Sequence, residues 1–178
     1  MAEQKEMFGD KPSFTYDKIR SLSYMDQVLK ESLRITPPLI QVMRMVKKDI
    51  EYGNYKIPAG HYIAVSPTAT HHIKEYYPEP EKFDPERFAT DAASASAAGD
   101  DEQPTKGGRY TYLPFGAGRH RCIGEGFAYV QIKTLWSTIL SQYEILPDGP
   151  MPKPDYQSLV VLPSNPCNIR YKKRVQKA

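Results

Sequence analysis

The sequence predicts a mainly α protein with a small antiparallel β layer, an α+β fold. Two stretches repeat apolar residues at helical spacing, and between them lies a run of short β-favouring segments separated by turn residues. Proline is abundant, at 16 of 178 residues, which keeps the elements short and sharply turned. Hydrophobic residues at 40% and charged residues at 25% are typical of a globular domain, so a wholly disordered chain is excluded.

The N-terminal segment predicts three helices in succession. We interpret MAEQKEMF as the last turns of a helix that ends at Gly9, with the chain beginning inside that element. Thr15 is suited to cap a short second helix, and Ser23 to cap a third over about residues 24–35, which Pro37 ends. One arc of this third helix carries the apolar residues that we expect to face the core: Met25, Val28, Leu29, Leu33 and Ile35.

Residues 39–67 predict the β layer. β-branched and aromatic residues are interrupted there by the turn signals Gly53-Asn54 and Pro58-Ala59-Gly60, which indicates short strands in one small antiparallel sheet. A proline-rich meander follows over residues 78–88, where long helix and central strand are excluded. Residues 91–108 hold no aromatic residue and no aliphatic residue larger than alanine, so we expect a flexible insertion.

The C-terminal part predicts a long helix followed by strands. Apolar residues recur at i, i+4, i+7, i+8, i+11, i+12 and i+15 from Ala128, which indicates a helix over about residues 124–142. Residues 143–174 predict a strand and a hairpin, with the reversal between Pro163 and Pro166.

The charge and the cysteine content narrow the choice of partners. The formal net charge is +3, but five of the last nine residues are basic. A cation cluster at one terminus is typical of a solvated strand end, so no nucleic-acid partner is predicted. Two cysteines permit no disulfide framework. The longest stretch without a charged residue, 57–73, contains prolines, a glycine and histidines, so no membrane span is predicted in these residues.

The pattern richest in chemistry is LPFGAGRHRCIGEGFAYVQIK, a glycine-rich loop that leads into the long helix. Cys122 stands at the start of that helix, where the helix dipole and neighbouring cations favour a thiolate, so it is a candidate metal ligand or nucleophile. The glycines allow a flat or bulky partner to approach the backbone closely. Arg119, His120 and Arg121 offer donors to an anion on that partner.

Other interpretations of this loop fit its spacing less well. A dinucleotide loop needs glycine at position 121, and a Walker loop needs Gly-Lys-Ser/Thr, which is absent. Zinc needs three or four ligands, whereas only His120 is near Cys122 and the other three histidines form no recognised spacing. A thiol hydrolase needs a base, for which His120 is too close in sequence. A buried structural cysteine stays open as an alternative.

Three motifs resemble those of one enzyme family. FGAGRHRCIG matches Phe-x-x-Gly-x-Arg-x-Cys-x-Gly, the signature of the cytochrome P-450 heme-thiolate monooxygenases. Glu31-Ser32-Leu33-Arg34 is similar to the Glu-x-x-Arg of the family's helix K, and Pro85-Glu86-Arg87-Phe88 to its Pro-Glu-Arg-Phe loop. The resemblance covers residues 1–178. It implies the C-terminal, heme-binding portion of a single P-450 domain, with a cysteine loop at 114–124 and helix L at about 124–142.

The resemblance implies that Cys122 is the axial thiolate on the iron of heme (iron protoporphyrin). Phe115 is then expected to pack beside the sulfur, and His120 and Arg44 to bind the heme propionates. For Arg44, an exposed strand arginine is the alternative. The full set of cofactor-binding residues that the resemblance implies is Cys122, Phe115, Gly118, Arg119, His120, Gly124 and Arg44.

Away from the heme, the resemblance implies a structural triad and a substrate pocket. Glu31 and Arg34 lie one helical turn apart, and Arg87 completes the expected charged triad, which fixes the loop that presents Cys122. The pocket residues are expected after helix K and at the tip of the C-terminal hairpin, and they are apolar, as a sterol requires. They are Leu39, Ile40, Val42, Met43, Leu159, Val160, Val161 and Leu162.

Four further segments resemble the sterol 14α-demethylases: PPLIQVMRMV, IPAGHYIAVSPT, CIGEGFAYVQIKTLWST and VLPSNPCNIRYKKR. Within the first of them, Leu39-Ile40-Gln41 looks closer to the animal-type members. This implies oxidative removal of the 14α-methyl group of a lanosterol-like sterol, with molecular oxygen and an NADPH-dependent flavoprotein reductase as partners. In the family, the membrane anchor and the oxygen-activating residues precede helix K. We therefore assign no catalytic residue, and we expect membrane association at the cytosolic face of the endoplasmic reticulum through that N-terminal part. The alternatives are a catalytically incomplete heme-binding fragment, inactive by itself, and a monooxygenase of another lipid.

Overall fold

The computed structural model describes residues 2–9, 13–89, 108, 110–158 and 160–174. Within these residues there are five α-helices: α1 (Ala2–Phe8), α2 (Tyr16–Arg20), α3 (Ser23–Ile35), α4 (Pro67–His71) and α5 (Glu125–Gln142). The strands are β1 (Val42–Met45), β2 (Ile50–Tyr52), β3 (Tyr55–Ile57), β4 (Tyr62–Val65), β5 (Tyr143–Pro147), β6 (Pro154–Asp155), β7 (Leu162–Pro163) and β8 (Ile169–Lys173). The α+β prediction is confirmed.

The strands form two-stranded antiparallel pairs, which in the described residues are β1–β4, β2–β3, β5–β8 and β6–β7. The prediction of a single small sheet over residues 39–67 is therefore wrong, because the four strands there divide into two separate pairs. The turn signals are where the sequence indicated them, since Gly53 has φ 56° between β2 and β3 and Gly60 has φ 85° before β4. Each turn closes a short local pair.

The start of α3 is capped from another helix. Glu3, in α1, accepts hydrogen bonds from the backbone N–H groups of Tyr24 at 2.6 Å and Met25 at 3.1 Å, and from the Ser23 hydroxyl at 3.1 Å. Ser23 was expected to be the capping residue, which is wrong: it is the first residue of α3, and Leu22 before it makes no side-chain cap. The Thr15 cap of α2 is present, at 3.4 Å from the Lys18 N–H.

The buried face of α3 is mostly polar, contrary to the expected apolar arc. Leu29 is the one residue of that arc that is buried, and the other four are half-buried. The reason is that α3 buries charged side chains that pair with one another and with backbone carbonyls, so their burial is compensated. The buried residues of α3 are Gln27, Leu29, Lys30, Glu31 and Arg34.

The long helix α5 forms where the periodicity predicted it, but its buried residues are Lys133 and Ser137. Lys133 pairs with Asp26 and donates to the Arg20 carbonyl at 3.2 Å, which ties α5 to α2 and α3. Much of the apolar arc is exposed, including Leu135 at 55% and Trp136 at 43%.

Two apolar clusters hold the described elements together. The first comprises Phe8, Ile19 and Leu22 from the N-terminal helices. The second comprises Tyr77, Phe88 and Tyr112, which pack the proline-rich meander against the segment before the cysteine loop. The meander of residues 78–88 contains one short 3₁₀ helix, Pro85–Phe88. The insertion expected at residues 91–108 lies outside the described residues, apart from Gly108.

None of the helices in the described part of the chain is both long enough and apolar enough to cross a membrane.

Candidate functional site

Cys122 sits in a loop that its own backbone holds closed. The Cys122 N–H donates to the Phe115 carbonyl at 2.9 Å, and the Gly116 N–H donates to the Leu113 carbonyl at 3.1 Å. Gly116 and Gly118 have φ values of 75° and 67°, in the left-handed region that favours glycine. A short 3₁₀ helix, Gly118–His120, then leads to the cysteine, three residues before α5 begins. Gly116 and Gly118 are therefore required by the shape of the loop.

The Cys122 thiol is free and exposed. The alternative of a buried structural cysteine is therefore wrong for this chain. Gly124 lies beside the sulfur, because a Cβ added at that glycine would come within 3.8 Å of Cys122 Sγ. Ile123 and Phe127, the nearest apolar side chains in sequence, are also exposed, at 104% and 71%.

A cavity of about 1090 Å³ borders Cys122 between α2, α3, the loop and α5. Cationic side chains outnumber acidic ones in its wall. The cations are Arg20, Lys30, Arg119, Arg121 and Lys133, and the acids are Asp17, Asp26 and Glu125. Part of this charge is paired within the wall: Arg121 Nε lies 2.7 Å from Glu125 Oε2. The wall of the cavity next to the thiol thus carries a positive excess.

The donor set around Cys122 suits a metal whose other ligands come from a macrocycle. In the described residues, no group of three or more His, Cys, Asp or Glu side chains is positioned to hold a metal ion. A lone thiolate is insufficient for zinc, which takes four ligands, whereas heme iron needs only an axial ligand from the protein. An exposed thiol with glycine and apolar side chains beside it fits that requirement.

Most of the other residues expected at the cofactor are exposed. The contact of Phe115 with Cys122 is through its carbonyl, while its ring lies 5.8 Å from that of Tyr129. Arg119 and His120 are exposed in the 3₁₀ helix. Arg44 is exposed on β1, and its guanidinium donates to the neighbouring Met43 carbonyl at 2.8 Å. Among the described residues, no hydrogen bond or ion pair joins Arg44 to the cysteine loop.

Glu31, Arg34 and Arg87 are brought together as expected for a triad. Arg34 holds Glu31 with two parallel bonds, Nε to Oε2 at 2.7 Å and Nη2 to Oε1 at 2.9 Å. Arg87 Nε approaches Glu31 Oε1 at 3.3 Å, and the Asp84 N–H donates to the same oxygen at 2.9 Å. Glu31 and Arg34 are both fully buried.

The remaining donors of the two arginines hold the meander. Arg34 Nη2 donates to the Pro80 carbonyl at 2.7 Å, and Arg87 Nη2 donates to the Glu79 carbonyl at 2.9 Å. The Arg34 guanidinium also lies 5.3 Å from the centre of the Tyr77 ring. The triad therefore fixes the backbone of the proline-rich segment against α3.

A buried histidine joins this network, and sequence reasoning missed it. His71, at the end of α4, is fully buried. Its Nδ1 lies 3.1 Å from the Arg34 carbonyl, and its Nε2 accepts the Leu113 N–H at 2.8 Å. Burial, with a smaller contribution from the Arg34 charge, lowers the pKa of His71 to about 4. The sequence carried no signal for this role, because both partners are distant in the chain.

The two segments expected to line a substrate pocket meet through one backbone bond. The Val161 N–H donates to the Pro38 carbonyl at 2.8 Å, and Val161 is buried. Leu39, Met43, Val160 and Leu162 are exposed, Ile40 and Val42 are half-buried, and Leu159 lies outside the described residues. The segments after α3 and before β7 are therefore adjacent, with most of their apolar side chains open to solvent.

Comparison with known proteins identifies similar sequences along almost the whole chain. The model of the cytochrome P-450 family matches residues 1–171. The lanosterol 14-alpha demethylase of Bos taurus is 43% identical over 174 residues, and that of Homo sapiens is 44% identical over the same length. In each case the match covers 97% of this chain and 32% of the relative.

A fungal relative is somewhat more distant. The lanosterol 14-alpha demethylase of Eremothecium gossypii is 38% identical over 183 residues, which covers 97% of this chain and 35% of the relative. The chain spans about a third of the length of these curated relatives.

Proposed function

Because the chain belongs to the cytochrome P-450 family, we propose that it is the heme-thiolate portion of a monooxygenase that removes the 14α-methyl group of a lanosterol-like sterol. The observation that carries this proposal is the exposed Cys122 thiol on a backbone-closed glycine loop. The choice of substrate is supported by the relatives, which are lanosterol 14-alpha demethylases.

In this proposal Cys122 is the axial ligand of heme. A heme held by a thiolate supplies electron donation that favours O–O bond cleavage. Gly118 in the loop and Gly124 just before α5 carry no side chain, so that a flat group could approach the backbone at these two positions. Arg119 and His120, exposed on the loop, and Arg44 on β1 supply donors for the carboxylates of the cofactor. Phe115 fixes the cysteine through its carbonyl.

The triad acts by positioning. Glu31, Arg34 and Arg87 hold the meander through buried, charge-assisted hydrogen bonds. The same region supports the residues that enter the cysteine loop, so its rigidity limits the movement of Cys122. A fixed Cys122 would keep the contacts around its sulfur constant, and such contacts orient a metal ligand and tune the metal that it holds.

The apolar residues that the sequence predicts for the substrate pocket are proposed to contact the sterol. Their side chains exclude water from the reacting methyl group and orient a large apolar substrate. The residues are Leu39, Ile40, Val42, Met43, Leu159, Val160, Val161 and Leu162.

The proposed partners follow from the chemistry. Each oxygenation would need molecular oxygen, two electrons and two protons, with one oxygen atom entering the substrate and the other leaving as water. An NADPH-dependent flavoprotein reductase is the proposed electron donor, and the positive excess of the cavity beside Cys122 favours an acidic partner surface. The proposed location is the cytosolic face of the endoplasmic reticulum membrane, where an apolar sterol is available.

The ligand is tested by substitution in the intact protein. We expect the ferrous carbon monoxide complex to show the Soret band of a thiolate-ligated heme, and Cys122→Ala to abolish that band. Cys167→Ala is the matched control, because Cys167 is also a free, exposed thiol. A thiolate band that persists in Cys122→Ala, or that disappears in Cys167→Ala, contradicts the assignment.

The substrate is tested separately by titration with lanosterol. A sterol that enters the heme site should shift the spectrum from low to high spin, and turnover with the reductase should release the 14α-carbon. A normal thiolate band without a sterol-induced shift would instead favour a monooxygenase of another lipid.

A further inference from the structure

Arg34 and His71 hold each other reciprocally. The Arg34 Nη1 donates to the His71 carbonyl at 3.0 Å, while the His71 ring nitrogen Nδ1 lies 3.1 Å from the Arg34 carbonyl. Both side chains are fully buried. The Arg34 carbonyl is in the last turn of α3, where carbonyls lack a partner within the helix. His71 therefore satisfies a group that would otherwise be buried without a hydrogen bond.

The second ring nitrogen defines the tautomer. His71 Nε2 accepts the Leu113 N–H at 2.8 Å, so this nitrogen must be unprotonated. The hydrogen of the neutral ring is then on Nδ1 and is donated to the Arg34 carbonyl. A protonated ring would oppose two N–H groups and add a charge beside Arg34. The low pKa of His71 agrees with a ring that stays neutral.

Leu113 immediately precedes the cysteine loop. The Leu113 carbonyl accepts the Gly116 N–H, and the Phe115 carbonyl accepts the Cys122 N–H. His71 thus accepts the N–H of Leu113, and the carbonyl of the same residue accepts the first hydrogen bond of the cysteine loop.

Aromatic residues pack against the His71 ring and attach the segment before the cysteine loop to its neighbours. The rings of His71 and Tyr112 are stacked, with centres 5.3 Å apart and 23° between their planes. The Tyr112 hydroxyl donates to the Lys30 carbonyl at 3.0 Å, and the Tyr77 hydroxyl donates to the Thr111 carbonyl at 3.1 Å. Residues 111–113 are therefore attached to α3, to α4 and to the meander at once.

We propose that His71 is a positioning residue for Cys122. As a neutral ring with its hydrogen on Nδ1, it transmits the position of the Glu31–Arg34 pair to the loop that presents the thiolate. This inference rests on the proposed function, in which Cys122 is the axial ligand of heme.

Two substitutions separate the role of Nε2 from the role of Nδ1. In His71→Gln the terminal amide lies three bonds from Cβ, as Nε2 does, so its oxygen can accept the Leu113 N–H. In His71→Asn the amide lies two bonds from Cβ, as Nδ1 does, so it can donate to the Arg34 carbonyl and leaves Leu113 without an acceptor. His72→Gln is the control, because His72 is adjacent and, among the described residues, its ring bonds from Nδ1 to the Thr68 carbonyl of α4 at 2.8 Å and to neither Arg34 nor Leu113.

The readout in the intact protein is the ratio of thiolate-ligated to non-thiolate ferrous carbon monoxide heme. We expect His72→Gln to stay close to the parent ratio, and His71→Gln to lower it less than His71→Asn does, because Gln still accepts the Leu113 N–H and loses only the donor to the Arg34 carbonyl. We expect His71→Asn to lower it about tenfold, the shift that corresponds to one buried N–H left unsatisfied. Equal ratios in the Asn and Gln variants would overturn the role of His71. An absent thiolate band in the unsubstituted protein would overturn the proposed function instead.

A second measurement does not depend on the stability of any variant. Nitrogen NMR of the unsubstituted protein labelled at histidine distinguishes a protonated Nδ1 from a protonated Nε2. We expect the His71 ring to carry its hydrogen on Nδ1 from neutral pH down to about pH 5. A ring protonated on Nε2 could not accept from Leu113 and would contradict the inference.

Discussion

Glu31 and Arg34, one turn apart in α3, form a two-pronged ion pair with no solvent exposure. The carboxylate also accepts the Asp84 N–H and the Arg87 guanidinium, so both of its oxygens are satisfied. A buried pair of this kind adds little net stability, but removal of one member leaves the other charge uncompensated. Its value to the fold is the geometry that it imposes on the meander.

Glu31→Ala should therefore leave Arg34 buried without its counter-charge. We expect the free energy of unfolding to fall by about 3–5 kcal/mol, and heme to be lost from the purified protein. Denaturant unfolding and the heme-to-protein ratio measure the two effects. Glu86→Ala, which removes an exposed carboxylate from the Pro85–Phe88 turn, is the control and should change neither. Normal heme content in Glu31→Ala would refute the positioning role of the triad.

The pH dependence of stability should report His71. Its pKa is about 4 in the folded protein against an ordinary 6.5, so the unfolded chain binds the proton more readily. The stability from the neutral ring is fully present above about pH 6.5 and is lost as the pH falls towards 4. The loss at that limit is about 3 kcal/mol.

The measurement is the difference in unfolding free energy between the parent and His71→Gln at pH 7, 5.5 and 4. The contribution of the carboxylates to the pH dependence cancels in this difference, because they titrate in both proteins. The groups that face the ring are Arg34, Tyr77 and Tyr112, with His72 adjacent on α4. A difference that does not narrow towards pH 4 would be inconsistent with a neutral buried ring.

Glu3 should stabilise α3 from a distance. Its carboxylate satisfies two backbone donors of the first turn and carries the charge that a helix N-terminus favours. We expect Glu3→Ala to lower the free energy of unfolding by about 1–2 kcal/mol. Glu6→Ala, at an exposed position in the same helix, is the matched control and should have an effect near zero. Equal effects in the two variants would exclude a capping role.

Gly118→Ala should strain the cysteine loop. The φ of Gly118 is 67°, and an added Cβ would meet no atom within 4 Å, so the cost is in the backbone alone. We expect a loss of about 1–2 kcal/mol, with weaker heme binding. The comparison is Gly126→Ala in α5, where φ is not positive and space is also open. That variant should gain up to about 1 kcal/mol from helix propensity.

Local patterns predicted the parts of the site that a few consecutive residues define. The positive φ values of the loop require glycine, so the motif FGAGRHRCIG carries its own conformation. Glu31 and Arg34 are three residues apart on one helix, and that spacing alone brings them within reach. The arc of α5 also predicted a helix correctly.

Contacts between distant segments were not predictable in the same way. The Glu3 cap replaced the expected Ser23 cap because α1 folds against the start of α3, and no local rule encodes that arrangement. Lys133 is buried because Asp26 and the Arg20 carbonyl face it, whereas a helical wheel assigns a lysine to solvent. His71 gave no signal because its meaning depends on Arg34 and Leu113.

The amino-acid sequence alone determined the family, the α+β character and the conformation of the cysteine loop, because each depends on neighbouring residues whose backbone preferences and spacing act locally. Only the tertiary structure decided which polar groups are buried and what satisfies them. The physical reason is that a buried charge or N–H is stable only beside a specific partner, and in this chain those partners are supplied by segments far away along the backbone.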